Sequence, residues 1–209
     1  MHLAPFDPSA PCQPPSHRSR LLMAMAQALT EQGYAAITIA DIVRLAGVSR
    51  RTFYEHFDGK QACFEALYRA ASGAALRTLR EAIDTSQPWQ KQLERALGAY
   101  LGHLAAGPAL LRSLFVDVHH LGDAGAALRR ETMKQLADFM CETIRRQAAS
   151  TASWSPIQPQ LAMAAVGAIN ELVLMSIERG EAAELASLTP VAVRIVGSLA
   201  EGCREPART

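Results

Sequence analysis

The chain has 209 residues, 49% of them apolar and 6% aromatic, with a formal net charge of +1. That length builds one large domain or two small ones around a sizeable core. The near-zero charge excludes a polycation that holds nucleic acid by bulk attraction, so any affinity for a polyanion must come from a local patch.

Residues 1–16 hold Pro5, Pro8, Pro11, Pro14 and Pro15 and read as a disordered arm. Arg18 and Arg20 follow, placed to reach a groove or phosphates. They open a helix running to about Gln32, with Leu22, Met25, Ala26 and Leu29 on its apolar face. Gly33 is expected to close it. No stretch alternates Val, Ile, Thr and aromatic residues, so the fold class is all-α.

Residues 37–60 read as two short helices joined by a tight turn. Thr38 is a good N-cap, with Asp41 as its capping-box partner, and Ile37 and Ile42 have the spacing of a hydrophobic staple. Gly47 suits the left-handed conformation past a helix end. Ser49 caps the second helix, and Val48 and Phe53 repeat the staple. Arg50 and Arg51 then sit in its first turn, beside the positive end of the helix dipole, an arrangement unfavourable by roughly 0.3–1 kcal/mol per charge. A polyanionic partner gives them a reason to be there. Residues 1–60 contain six Lys/Arg (18, 20, 44, 50, 51, 60) and five Asp/Glu (7, 31, 41, 55, 58), so the cations are arranged rather than numerous.

Asp58-Gly59 breaks the chain, and Lys60 opens a helix to about Ile83, long enough to connect a head to a body. Further helices are expected at about 88–106, 109–120, 123–149, 157–179 and 190–201, with a polar turn at Thr151–Ser155 before Pro156. Helix 157–179 is apolar nearly all round, with Leu161, Ala165, Ala168, Leu172 and Met175 on one face and Val166, Ile169, Val173 and Ile177 on another. A helix apolar on every side is buried on every side. The second face is therefore expected to meet another subunit. The expected dimer interface is Leu161, Val166, Ile169, Val173 and Ile177 with Val191, Ile195 and Leu199, two helices from each chain. The alternative is that both faces pack within one chain.

Cys12, Cys63, Cys141 and Cys203 are dispersed, without zinc or disulfide spacing, so no metal site and no cofactor is expected. No H-E-x-x-H, G-x-S-x-G or glycine-rich phosphate loop marks an enzyme. The N-terminus lacks a signal-peptide pattern, and the apolar stretch Leu161–Ile177 is short for a bilayer span and contains Asn170 and Glu171. The reading is a soluble cytoplasmic protein with no membrane partner.

The segment Ile37–Lys60, with Thr38, Ile42, Ala46-Gly47-Val48-Ser49, Thr52-Phe53-Tyr54, Phe57 and Lys60, resembles the tetracycline-repressor (TetR) family of bacterial transcriptional regulators. The resemblance covers about residues 18–62; beyond them only the helix number and the Gly167-Ala168…Glu171-Leu172 pattern look similar. It implies a disordered arm at 1–16, a three-helix helix-turn-helix head at 17–62 and a helical effector-binding and dimerisation domain at 63–209, about nine helices in all. It further implies a homodimer on a palindromic double-stranded DNA operator, released by a small, apolar effector. Thr38, Arg44, Ser49, Arg50, Arg51, Thr52, Tyr54, His56 and Lys60 fall where DNA is expected, with Tyr54 and Lys60 on phosphate and Arg50, Arg51 and Thr52 on base edges. Glu55 is expected to face away. Trp89, His103, Phe115, His119, Met133, Phe139, Met140 and Asn170 are candidates for the effector pocket, although residues of these types at helical spacing also serve as core. A ligand-free or cysteine-based redox regulator stays open beside this reading.

Overall fold

The computed structural model describes residues 15–150 and 157–202. Most of the proline-rich arm, the turn at 151–156, Cys12 and Cys203 lie outside them. The elements are α1 (His17–Glu31), a 3-10 turn at Tyr34–Ala36, α2 (Ile39–Ala46), α3 (Arg50–Tyr54), α4 (Lys60–Glu81), α5 (Trp89–Ala105), α6 (Pro108–Val116), a 3-10 turn at Asp117–Leu121, α7 (Gly122–Ser150), α8 (Pro159–Glu178), a 3-10 turn at Ala182–Leu188 and α9 (Thr189–Glu201). Among the described residues there is no strand. The all-α reading holds.

The chain forms two compact units, one of residues up to Ala71 with Ala109–Leu128, the other of Ser72–Pro108 with residues from Arg129 onward. The first therefore runs past the expected boundary at 62 and takes in a stretch from the middle of the chain. Its core explains why. Leu21, Met25, Ile37, Ile42, Phe53 and Phe64 are fully buried in one cluster, which Val118 and Leu128 complete. The ring of Tyr34 meets Phe64 edge-on at 4.9 Å. Two side chains of the 109–128 stretch bind backbone of the head. Ser113 Oγ donates to Leu29 O at 3.0 Å, and an Asp117 carboxylate oxygen accepts from Tyr34 N–H at 3.2 Å. These bonds join residues 84 and 83 apart in sequence, so no local pattern announces them.

Both helix starts of the corner form as their sequences require. Asp41 N–H donates to Thr38 Oγ1, and Thr38 N–H and Oγ1 donate to Asp41 Oδ2, a complete capping box. The bonds from the Thr38 hydroxyl and then its backbone hold the Asp41 carboxyl below its ordinary value. The box is thus intact at neutral pH. Its contribution is lost as pH falls below the ordinary carboxylate range and through that lowered pKa. Ser49 Oγ accepts from Thr52 N–H at 3.0 Å. Gly47 takes φ +61° between the two helices. Gly33 does not act as expected: α1 ends at Gln32 in extended backbone, and Gly33 has φ −66°.

In the second unit, α5 and α8 each pack on α9 and on the Ala182–Leu188 turn. Its buried residues include Leu93, Leu97, Leu101, Ile144, Leu185 and Val196. The helix at α8 is 20 residues long, so by length and composition it could cross a bilayer; it is longer than the stretch singled out from sequence. Its Ala162, Ala165, Val173, Ser176 and Ile177 are buried inside the unit. This corrects the assignment of its two faces. Val173 and Ile177 are core of their own chain, not a free face, and Val166 and Ile169 are half-buried. The exposed stripe is Leu161, Ala164, Ala168, Glu171 and Met175, with Val191 exposed on α9 and Ile195 and Leu199 half-buried. An all-apolar helix has no polar stripe to fix its phase, so the pattern could not say which face turns inward.

Two outcomes follow. A Cβ on Gly47 would stand 2.8 Å from Arg20 Nη2 and force a left-handed alanine, so Gly47→Ala should lower stability by about 1–2 kcal/mol in a thermal or denaturant melt. Cys63 is fully buried, and burial pushes its thiol up to about 12. In peptide mapping after maleimide treatment of the folded protein, Cys63 should stay unmodified until the chain is unfolded. Modification of Cys63 in the folded protein would instead support a redox-sensing reading.

Candidate nucleic-acid interface

α3 is a helix of five residues, continued by a turn in which Phe57 N–H donates to Phe53 O. Phe53 and Phe57 point into the core with ring centroids 5.8 Å apart. Anchoring these two leaves Arg50, Arg51, Tyr54, Glu55 and His56 exposed on the other side. The head thus presents a short helix whose outer residues are polar, cationic or aromatic, the composition that direct readout of base edges and phosphates requires.

The expected contacts differ in how free they are. Arg50 is exposed and, among the described residues, paired with no carboxylate. Tyr54 is 53% exposed, with its ring edge-on to Phe53 at 5.5 Å. Arg51 Nε lies 3.2 Å from Glu55 Oε1, and the two side chains are 90% and 55% exposed. Glu55 therefore does not face away from the polar side; it pairs with Arg51. An exposed pair at this spacing is worth about 0.3–0.5 kcal/mol, so a phosphate or guanine edge can displace it. Arg44 is held loosely by Asp41 at 3.8 Å. His56 stands edge-on to His17 at 6.4 Å, bringing in a residue that pattern reading did not select.

Four expected contacts are occupied by structure. The single hydroxyl proton of Thr38 goes to Asp41 at 2.6 Å, so Thr38 has no side-chain donor left for a phosphate. Ser49 and Thr52 share a hydrogen bond between their hydroxyls at 2.9 Å, leaving one proton between them. Lys60 departs furthest from expectation. Its Nζ donates to Tyr34 O at 2.9 Å and Ile37 O at 2.8 Å and lies 4.3 Å from the Tyr34 ring centroid. Burial pushes its pKa below the ordinary lysine value. It fastens the start of α4 to the turn before α2 rather than projecting to solvent. The two leading arginines are likewise engaged. Arg20 Nη2 donates to Gly47 O at 2.8 Å, and the Arg18 guanidinium stands 5.4 Å from the Phe57 ring centroid. Helix spacing could not reveal these partners, because they lie on other elements.

The expected pocket residues do not gather in one place. Phe115 and His119 belong to the first unit, while Trp89, His103, Met133, Phe139, Met140 and Asn170 belong to the second. Trp89 and Met140 pack on the cluster of Ala137, Ile144, Ile157, Ala162 and Ala200. Burial, and then the Arg77 charge, lower the pKa of His103, which keeps it neutral at pH 7. Of the eight, Phe139 lines the two cavities described in the second unit, of about 560 and 580 Å3. Their walls carry Arg80, Asp138, Glu142, Arg145 and Arg146 besides apolar residues, so they suit a ligand with a polar or charged part better than the apolar effector expected.

These positions separate experimentally. Arg50→Ala and Tyr54→Ala should leave the melting temperature within a degree or two and weaken DNA binding at least tenfold in fluorescence anisotropy. Lys60→Met should instead destabilise the head by about 1–2 kcal/mol, because two carbonyls lose a charged donor. An unchanged melt for Lys60→Met would return that ammonium to the phosphate role.

Residues 21–67 match the sequence model of bacterial regulatory proteins of the tetR family. The chain is 29% identical over 128 residues to the uncharacterised HTH-type transcriptional regulator YxbF of Bacillus subtilis, which is 60% of this chain and 34% of that protein. It is 28% identical over 99 residues to the HTH-type transcriptional repressor KstR2 of Mycolicibacterium smegmatis, 47% of each. The chain thus spans about a third to a half of the length of these curated relatives. Its fold is similar to that of the transcriptional regulator FadR from Bacillus subtilis in complex with stearoyl-CoA, with a TM-score of 0.72 at 16% identity, covering 85% of this chain and 96% of that one. The residues that match the tetR-family model are thus those of the capped helix-turn-helix corner and the helices packed on it, so the head of the chain is similar to that of tetR-family regulators, and an all-helical remainder follows it.

Proposed function

We propose that the protein is a ligand-responsive transcriptional repressor that binds a palindromic operator as a homodimer in the cytoplasm, and that it is not an enzyme. The observation that carries the DNA reading is the outer side of α3, where Arg50 and Tyr54 stand exposed on a backbone anchored by Phe53 and Phe57. Ser49 caps this helix and is bonded to Thr52, Thr38 caps α2 before it, Arg51 is available once Glu55 is displaced, and Arg44 and His56 flank it. KstR2, a relative over 99 residues, supports repression as the mode, and a FadR structure holding stearoyl-CoA supports small-molecule control.

The exposed apolar stripe of α8, with Val191 of α9, supports pairing with a second copy. Leu161, Met175 and Val191 are 40%, 37% and 42% exposed, and a mostly apolar stripe along a long helix, broken here by the exposed Glu171, suits the isologous contact of a two-fold interface. Two heads held together bind two half-sites one helical turn, ~34–36 Å, or a multiple apart. An effector that prefers one arrangement of the heads shifts their spacing by its differential affinity. Because α4 contributes residues to both units, it is the natural lever between effector and head.

A mobility-shift assay with DNA from the chain's own promoter region tests the reading. A salt-sensitive, sequence-preferring complex is expected, and only non-specific binding would sink it. Leu161→Glu with Met175→Glu should give a monomer in analytical ultracentrifugation and lose the complex while keeping helical content. A variant that stays dimeric would move the interface elsewhere.

A further inference from the structure

The second unit contains a cationic feature that the DNA-binding role does not use. Two cavities share one wall made by Arg80 of α4 and Phe139 and Glu142 of α7. Phe139 is 8% exposed, and the Arg80 guanidinium carbon stands 5.6 Å from its ring centroid. Leu76 lines one cavity and Ile83 the other, so apolar surface continues on both sides of the shared wall.

The charges there do not cancel evenly. Lys134 Nζ already occupies Asp138 Oδ2 at 2.6 Å, and the Arg146 guanidinium occupies Glu142. Asp138, which lines one cavity, and Glu142, which lines both, therefore each have a cationic partner one helical turn away. Arg80 and Arg145 remain, and among the described residues neither is paired with a carboxylate. An arginine held over an aromatic ring presents its N–H edge outward, the arrangement that accepts a planar or tetrahedral anion. The nearby Cys141 thiol is pushed up by burial and by Asp138, so it stays a neutral wall rather than a competing anion.

We propose that this double cavity binds an amphiphilic anion, its carboxylate, sulfonate or phosphate head on Arg80 and Arg145 and its apolar body against Phe139, Leu76 and Ile83. The inference rests on the reading of the protein as a ligand-responsive regulator and adds an anionic head to the apolar effector expected from sequence.

The test uses the full-length protein and two dyes with the same apolar body, anionic 1-anilinonaphthalene-8-sulfonate and neutral N-phenyl-1-naphthylamine, titrated by fluorescence. The anionic dye should bind at least tenfold more tightly than the neutral one. Arg80→Gln and Arg145→Gln should each weaken the anionic dye about tenfold, as expected for loss of a charged hydrogen bond, and leave the neutral dye unchanged. Arg80→Lys should recover most of the affinity, and Arg194→Gln on α9 should change nothing. Equal binding of the two dyes, or glutamine variants indistinguishable from the parent, would overturn the proposal. If the dyes fail while the operator complex forms, this inference alone falls; if no operator complex forms, the regulator reading on which it rests falls with it.

Discussion

The head depends on the backbone at Gly47. Only a left-handed residue there turns α2 into α3, and Arg20 holds the turn by donating to the Gly47 carbonyl at 2.8 Å. Everything offered to a partner hangs from that geometry. Ser49 can cap α3 only if the chain leaves Gly47 in the right direction, and Phe53 can fill the core only if α3 starts where Ser49 places it. The outward aim of Arg50 and Tyr54 follows from the inward aim of Phe53 and Phe57. Direct readout is sensitive to ångström errors, so a corner fixed by covalent geometry and short hydrogen bonds suits it better than one fixed by apolar packing alone.

The same logic divides the cations into two groups. Arg18, Arg20 and Lys60 are spent on an aromatic face and on carbonyls, where they brace α1, the turn before α2 and the start of α4 against one another. Arg50, and Arg51 through an exposed pair, remain for a polyanion. A chain of net charge +1 thereby concentrates its attraction on one short helix. Its binding should depend on contacts at few positions and less on the long-range field that draws strongly basic proteins to any DNA.

What was legible in the sequence was local. The capping box, the Ser49 cap, the staples and the Gly47 turn involve residues within five of one another, and their chemistry is printed in order along the chain. Asp117 and Ser113 were invisible because their partners lie more than eighty residues away, and with them went the true extent of the first unit. The phase of α8 is hidden for a different reason: a helix apolar nearly all round has few polar residues to mark its outer face, so the pattern alone does not show that the unit buries Val173 and Ile177. In sequence, Arg80 is one arginine on a long helix and looks like an ordinary solvated charge; only the fold sets the Phe139 ring beside it. Among the expected pocket residues, Phe139 reaches a described cavity, whereas Phe115 and His119 belong to the other unit.

The central claim is that two copies of this corner read one DNA site. Hydroxyl-radical footprinting of the purified protein on its operator measures this directly, because it maps backbone protection nucleotide by nucleotide. The account predicts two equivalent protected patches related by a two-fold axis, with centres one helical turn of ~34–36 Å or a multiple apart. A single patch, or uniform protection without register, would contradict it.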